Sequence, residues 1–184
     1  MKIYVVRHEK RYESPTFFTS LTNDGIDDAD KLANQLNNID FDYIYSSPFL
    51  RTIQTVYPYC VKYNKKINID YSLYECTNDH RFTEKNYHHD ISSLTKFIPE
   101  INNYLNEYKS LIDKIIFPET KKNYLERLTT FTDTIIQKYK NTNKKILFVT
   151  HMSPVIDLLK LYKRRFYKYY KEGKLTLLYD RAID

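Results

Sequence analysis

Three short runs rich in β-branched and aromatic residues constrain this chain most: Ile3-Tyr4-Val5-Val6, Phe41 to Tyr45 and Lys145 to Val149. Each is followed by polar residues and then by a segment with helical spacing. Short apolar runs of this kind read as strands buried on both faces, the pattern of a parallel sheet covered by helices. In open sheets built that way, ligands sit beyond the carboxyl ends of the strands. The residues just past the three runs are Arg7-His8, Ser46-Ser47-Pro48 and Thr150-His151, so chemistry is sought there first.

The intervening segments complete the alternation. Ile26, Ala29, Leu32, Ala33 and Leu36 share one helical face behind a cap at Thr22 or Asn23. Leu50, Ile53, Val56, Tyr57 and Cys60 form a second stripe, which Ser47 as N-cap and Pro48 at the first helical position would open. Tyr124, Leu128, Phe131, Ile135 and Tyr139 mark a long amphipathic helix that Asn141 to Asn143 breaks, and Ser153-Pro154 opens the next. Ile67 to Ile69 reads as a short strand and Lys174 to Tyr179 as a last edge strand. Residues 70–118 are irregular, with a helix expected near Phe97 to Ile116, and read as an insertion or lid over the sheet edge. The 184 residues are therefore expected to form a single α/β domain, a three-layer αβα sandwich around a mostly parallel central sheet.

Cys60 and Cys76 are the only cysteines and lack metal-ligand spacing, so neither a disulfide framework nor a zinc site is indicated. A reducing compartment suits them. No segment approaches the roughly 20 apolar residues that span a bilayer, and the first residues lack the apolar stretch of a signal peptide, so none is expected. A soluble, cytoplasmic protein is expected. The formal net charge of +6 sits entirely in residues 160–174, where Lys160, Lys163, Arg164, Arg165, Lys168, Lys171 and Lys174 oppose Glu172 alone. Lys160, Arg164, Lys168 and Lys171 would line one side of a basic amphipathic helix, with Leu158, Tyr162, Phe166 and Tyr169 on another. That face suits either plain solvation or an anionic partner, whether acidic substrate, nucleic acid or membrane surface.

If the first, second and late strands are parallel neighbours, Arg7, His8, Arg51 and His151 converge on one sheet edge. The helix N-termini near Pro48 and Pro154 would add partial positive charge there. A dianionic phosphate group fits such a place. With these blocks in this order, the chain resembles the histidine phosphatase superfamily and its phosphoglycerate mutase-like fold. Arg7-His8 matches the family's Arg-His-Gly start, and residues 21–25 (Leu-Thr-Asn-Asp-Gly) resemble its Leu-Thr-x-x-Gly helix start. Ser47-Pro48-Phe49-Leu50-Arg51-Thr52-Ile53-Gln54-Thr55 is similar to its Ser-Pro-x-x-Arg-x-x-Gln-Thr block. Leu73-Tyr74-Glu75 resembles its Leu-x-Glu, and Thr150-His151 its second histidine.

The resemblance implies a phosphatase acting on phosphomonoesters through a phosphohistidine on His8. Arg7, Arg51 and His151 would bind the phosphoryl oxygens, and Glu75 would serve as acid and base. It implies no metal or other cofactor. The substrate would be a phosphorylated small molecule or a phosphoprotein. Three features depart from the pattern. Glu9 stands where the family has glycine, and would repel an anion unless it points away or pairs with Lys10. Met152-Ser153 replaces a Gly-Gly pair. The Ser/Thr and Asn of sugar-phosphate mutases are not apparent, which disfavours a mutase more than a phosphatase. Glu9 and the missing glycines motivate an alternative, a catalytically weak phosphate- or phosphoprotein-binding module. Glu9, Asp79 and Glu84 compete with Glu75 for the carboxyl role, while His80, His88 and His89 are read as loop residues.

Overall fold

The computed structural model describes residues 1–77, 89–165 and 167–181. Asp79, His80, Glu84, His88 and Phe166 lie outside that set. Strand β1 (Lys2–Arg7) leads to helix α1 (Asn23–Asn37), then β2 (Tyr43–Ser46), α2 (Leu50–Tyr63) and β3 (Ile67–Ile69). After a long connection come α3 (Lys121–Tyr139), β4 (Lys145–Thr150), α4 (Met152–Lys163) and β5 (Thr176–Asp180). The five strands form one sheet in the order β3-β2-β4-β1-β5. All pairings are parallel except β5, which runs antiparallel along the outer edge of β1.

Register decides where the site falls. Arg7 pairs with Thr150, and Ser46 pairs with both Val149 and Ile69. The carboxyl ends of the four parallel strands are thus level, and whatever follows each one meets its neighbours.

Alternation along the strands builds two cores. Val6, Leu147 and Val149 pack with Leu32, Ala33 and Leu36 of α1 and Ile53, Val56 and Cys60 of α2. Ile3, Val5, Ile146 and Phe148 face the other way, onto Leu128, Phe131 and Ile135 of α3 and Val155 and Leu158 of α4. The result is three layers with the sheet in the middle. Each fully buried aliphatic side chain contributes about 1.5–3 kcal/mol, so both helical layers are firmly attached.

The Thr22 hydroxyl accepts from the Gly25 N–H at 3.1 Å and caps α1. Gly25 also admits close approach of the chain leaving β1: a Cβ there would lie 2.1 Å from the Lys10 carbonyl oxygen. That carbonyl accepts from the Thr22 N–H at 3.0 Å, which anchors the turn behind His8 to α1.

Four local expectations need correction. The helix expected near Phe97 to Ile116 is replaced by 3₁₀ turns at Ile91–Lys96 and Ile101–Tyr104. Beyond them Leu105 bridges Ile67, and Asn106 donates to the Ile67 carbonyl, so this stretch is extended along the β3 edge rather than coiled. Edge pairing and a run of asparagines override weak helical spacing. Second, α2 begins at Leu50 with Phe49 as N-cap, so Ser47 and Pro48 lie ahead of the helix. Third, α4 is capped at His151 rather than Ser153, leaving Pro154 in the first turn, where no N–H is needed. Fourth, α4 stops at Lys163, because Arg164 adopts left-handed backbone (φ 51°) and Arg165 bonds back to Leu159. Lys160, Arg164, Lys168 and Lys171 therefore do not form one helical stripe. Among the described residues no helix is long and apolar enough to cross a membrane.

Candidate active site

His8 follows β1 directly and is held in line with it, its N–H donating to the Thr150 carbonyl at 2.9 Å. Its Nδ1 lies 2.7 Å from the Glu9 carbonyl oxygen. A carbonyl only accepts, so Nδ1 carries the proton and the neutral ring keeps its lone pair on Nε2. Burial first, then the field of Arg51, pushes the His8 pKa well below the ordinary histidine value. His8 is thus a neutral imidazole in a site lined by cations.

A cleft of about 30 Å³ is lined by Arg7, His8, Arg11, Pro15, Arg51, Glu75 and Met152. Arg51, in the first turn of α2, is 1 % exposed. Its guanidinium lies 4.4 Å from the centroid of the Phe49 ring and donates to the Thr16 carbonyl at 2.8 Å. The outer side of the Arg7 head donates to the Tyr170 carbonyl at 2.6 Å and pairs with the Glu172 carboxylate at 2.8 Å. Its Nε is buried without a hydrogen-bond partner among the described residues. The first residue of α4, Met152, and Arg51 near the start of α2 bring two helix N-termini to the same cleft, where they favour an anion.

His151 stands behind this lining, fully buried and edge-on to His8, with ring centroids 5.4 Å apart. Its Nε2 is 2.9 Å from the Ser47 hydroxyl, whereas its buried Nδ1 has no hydrogen-bond partner among the described residues. Burial is again the main cause that lowers its pKa, followed by Arg51 and His8. Ser47, read from sequence as a helix cap, is thus the residue that orients the second histidine.

Glu75 reaches the cleft from the connection after β3, with one carboxylate oxygen accepting from the Cys76 N–H at 2.9 Å. Two anchors hold this stretch. The Thr150 hydroxyl donates to the Leu73 carbonyl at 2.6 Å. Arg127 of α3, itself buried, donates to the Ser72, Tyr74 and Glu75 carbonyls at 2.7, 3.2 and 3.0 Å. A bidentate pair with buried Glu119, at 2.6 and 2.8 Å, fixes Arg127 in turn.

Glu9 turns away from the cleft. Its carboxylate lies in a separate groove with Asp28, Lys31, Lys171 and Lys174, against Gly173. Burial first, then Asp28 and Glu172, raises its pKa to about 7. Only its backbone serves the site: the carbonyl holds His8, and the N–H donates to the Thr55 hydroxyl at 2.9 Å.

The structure therefore brings Arg7, His8, Arg51 and Glu75 around one cleft, with His151 in contact behind it. Sequence reasoning missed Arg11 in the lining, Arg127 and Glu119 behind Glu75, and Glu172 on Arg7. Each left a signal. Arg127 interrupts the apolar stripe of Tyr124, Leu128 and Phe131, and Glu172 is the single acid in a basic stretch. Gln54 and Thr55 hold loops: the Gln54 side-chain carbonyl accepts from the Ser20 hydroxyl and the Leu21 N–H at 3.0 and 2.8 Å, and the Thr55 hydroxyl accepts from the Glu9 N–H. His89 packs against the Phe17 and Phe18 rings. Among the described residues no three His, Cys, Asp or Glu side chains cluster as metal ligands would.

The family model of the histidine phosphatase superfamily (branch 1) matches residues 4–169. No curated protein sequence matches the chain. Among solved structures, the ecdysone phosphate phosphatase of Bombix mori, in complex with tungstate, superposes with a TM-score of 0.73 at 14% identity, over 100% of this chain and 95% of that one. The alpha-ribazole phosphatase of Shigella flexneri gives 0.64 at 17% identity, over 95% and 88% of the two chains. The phosphoglycerate mutase of Bacillus anthracis gives 0.64 at 18% identity, over 96% and 91%. These likenesses establish the phosphoglycerate mutase-like fold.

Proposed function

The chain belongs to the histidine phosphatase superfamily, and from that premise we propose that it is a metal-independent phosphatase that hydrolyses phosphomonoesters through a phosphohistidine on His8. The observation that carries this reading is the bond from His8 Nδ1 to the Glu9 carbonyl, which leaves Nε2 as the nucleophilic atom in a cleft shared by Arg7, Arg51 and Glu75.

In the first step the Nε2 lone pair attacks phosphorus while the bond to the leaving oxygen breaks. That oxygen takes its proton from the Glu75 carboxyl group. Arg7 and Arg51, with His151 behind them, stabilise the charge on the three equatorial oxygens. In the second step Glu75 accepts a proton from water, whose oxygen attacks phosphorus as the P–Nε2 bond breaks. Inorganic phosphate leaves and His8 is again neutral. Guanidinium and helix N-termini supply the positive charge, so the scheme requires no metal. Because burial holds the His8 pKa down, the nucleophile stays neutral below the ordinary histidine range, and activity should persist into mildly acidic pH.

The groove that takes up the Glu9 carboxylate weakens the case for a catalytically weak binding module, since its negative charge does not line the cleft. The substrate class is a phosphorylated small molecule or a phosphoprotein. A panel of aryl, sugar, nucleotide and peptide phosphomonoesters, assayed with EDTA present, tests the reading. Phosphate release by the wild type and its loss in His8→Ala are expected. Unchanged turnover in His8→Ala overturns it, and so does transfer of phosphate to a second substrate without release.

A further inference from the structure

We propose that residues Tyr169 to Gly173 form a clasp that fixes the orientation of Arg7, with Glu172 as a positioning residue acting through that arginine. The inference rests on the reading above, in which Arg7 binds the phosphoryl group, and goes beyond it by assigning work to the only acid in the basic C-terminal stretch.

Four contacts from five consecutive residues converge on Arg7. The Tyr170 carbonyl accepts from one terminal nitrogen at 2.6 Å, and Glu172 Oε1 pairs with the other at 2.8 Å. The Tyr169 ring lies over the guanidinium, 5.3 Å from its carbon to the ring centroid. The Gly173 N–H donates to the Arg7 backbone carbonyl at 3.0 Å, so main chain and side chain are held together. The clasp is itself braced. The Tyr169 hydroxyl donates to Glu172 Oε2 at 2.5 Å, which orients the carboxylate. Gly173 adopts φ 61° with the Glu9 carboxylate against its Cα, where a Cβ would sit 1.8 Å from Glu9 Oε1. Only glycine closes the clasp in this position.

The arrangement leaves a defined remainder. A guanidinium offers five N–H donors. The clasp takes donors on the outer nitrogens, while Nε, on a side chain that lines the cleft, stays buried without a hydrogen-bond partner among the described residues. A long, flexible arginine is thereby frozen before the anion arrives, so its rotamer freedom is not lost on binding.

Orthovanadate binding, measured by calorimetry on the full chain, tests this without requiring turnover. Glu172→Gln is expected to weaken the vanadate Kd about tenfold, the order of one charge-assisted hydrogen bond. Tyr169→Phe, which keeps the ring, is expected to weaken it by about two- to threefold through the loosened carboxylate. In an Arg7→Met background Glu172→Gln should change the Kd by less than about twofold, because its effect passes through Arg7. Equal weakening in both backgrounds would show a merely structural role and overturn the proposal. An unchanged Kd in Glu172→Gln, or no vanadate binding by the wild type, also overturns it. Coupled vanadate binding in a protein that releases phosphate from no phosphomonoester keeps the clasp and refutes the phosphatase reading. Hydrolysis with no Arg7–Glu172 coupling does the reverse.

Discussion

Arg127 gives the sharpest separation of stability from activity. Arg127 and Glu119 are 8% and 5% exposed and form a bidentate pair, and Arg127 also donates to the Ser72, Tyr74 and Glu75 carbonyls. Arg127→Met keeps the aliphatic stem but leaves Glu119 buried, with the Thr77 hydroxyl at 3.3 Å. Breaking a buried pair on one side costs about 3–5 kcal/mol. Arg127→Met/Glu119→Leu removes both charges, and such double replacements are often neutral in themselves. The three carbonyls still lose their donor, so a deficit of about 1–3 kcal/mol should remain. Urea unfolding measures both values. Activity should not recover with stability, because the stretch carrying Glu75 has lost its anchor, and misplacing a catalytic group by about 1 Å can cost about 100-fold. The loss should be larger for an alkyl phosphate, whose leaving oxygen needs a proton, than for an aryl phosphate with a good leaving group. A double variant with wild-type turnover on the alkyl substrate refutes the argument. So does a single variant that loses less than about 1 kcal/mol.

Two further outcomes follow from the same geometry. Glu9 holds its proton up to about pH 7 when folded, against an ordinary value of 4.5, so the folded chain binds more protons than the unfolded one between those values and loses stability as pH rises through them. Relative to Glu9→Gln, the wild type should lose about 1–2 kcal/mol between pH 4.5 and pH 8 after allowance for solvent screening at the groove; a pH-independent difference between the two in urea unfolding would contradict the assignment. Ser47→Ala removes the hydroxyl 2.9 Å from His151 Nε2 and should lower kcat/KM about tenfold, the order of one orienting hydrogen bond. Unchanged kinetics in that variant would mean that the bond does not orient the ring.

How far the chain could be read before its structure follows from where the information lies. The strands were legible because β-branched runs such as Ile3 to Val6 and Lys145 to Val149 declare themselves locally. His8 and His151 follow their strands directly, so a level parallel sheet was enough to bring them together. Arg51 followed from its place in the first turn of a helix. The connection after β3 was not legible, since Leu105 and Asn106 pair with the edge of Ile67 through backbone bonds that no periodicity encodes. Side-chain direction was equally hidden. Glu9 lies next to His8 in sequence yet faces another groove, and only the close approach at Gly173 reveals it. Ser47 illustrates the competition: a residue with ideal N-cap chemistry is engaged by a histidine 104 positions away. Arg127 and Glu172 also act on residues remote in sequence, through contacts that a linear reading does not contain.

The most direct test of the central claim is to trap the covalent intermediate. Wild-type protein mixed with a phosphomonoester, quenched in alkali within milliseconds and digested should yield a peptide carrying an acid-labile, base-stable phosphoryl group on His8. His8→Ala should yield none and release no phosphate. Turnover with the label on another residue, or in the absence of His8, would contradict the account.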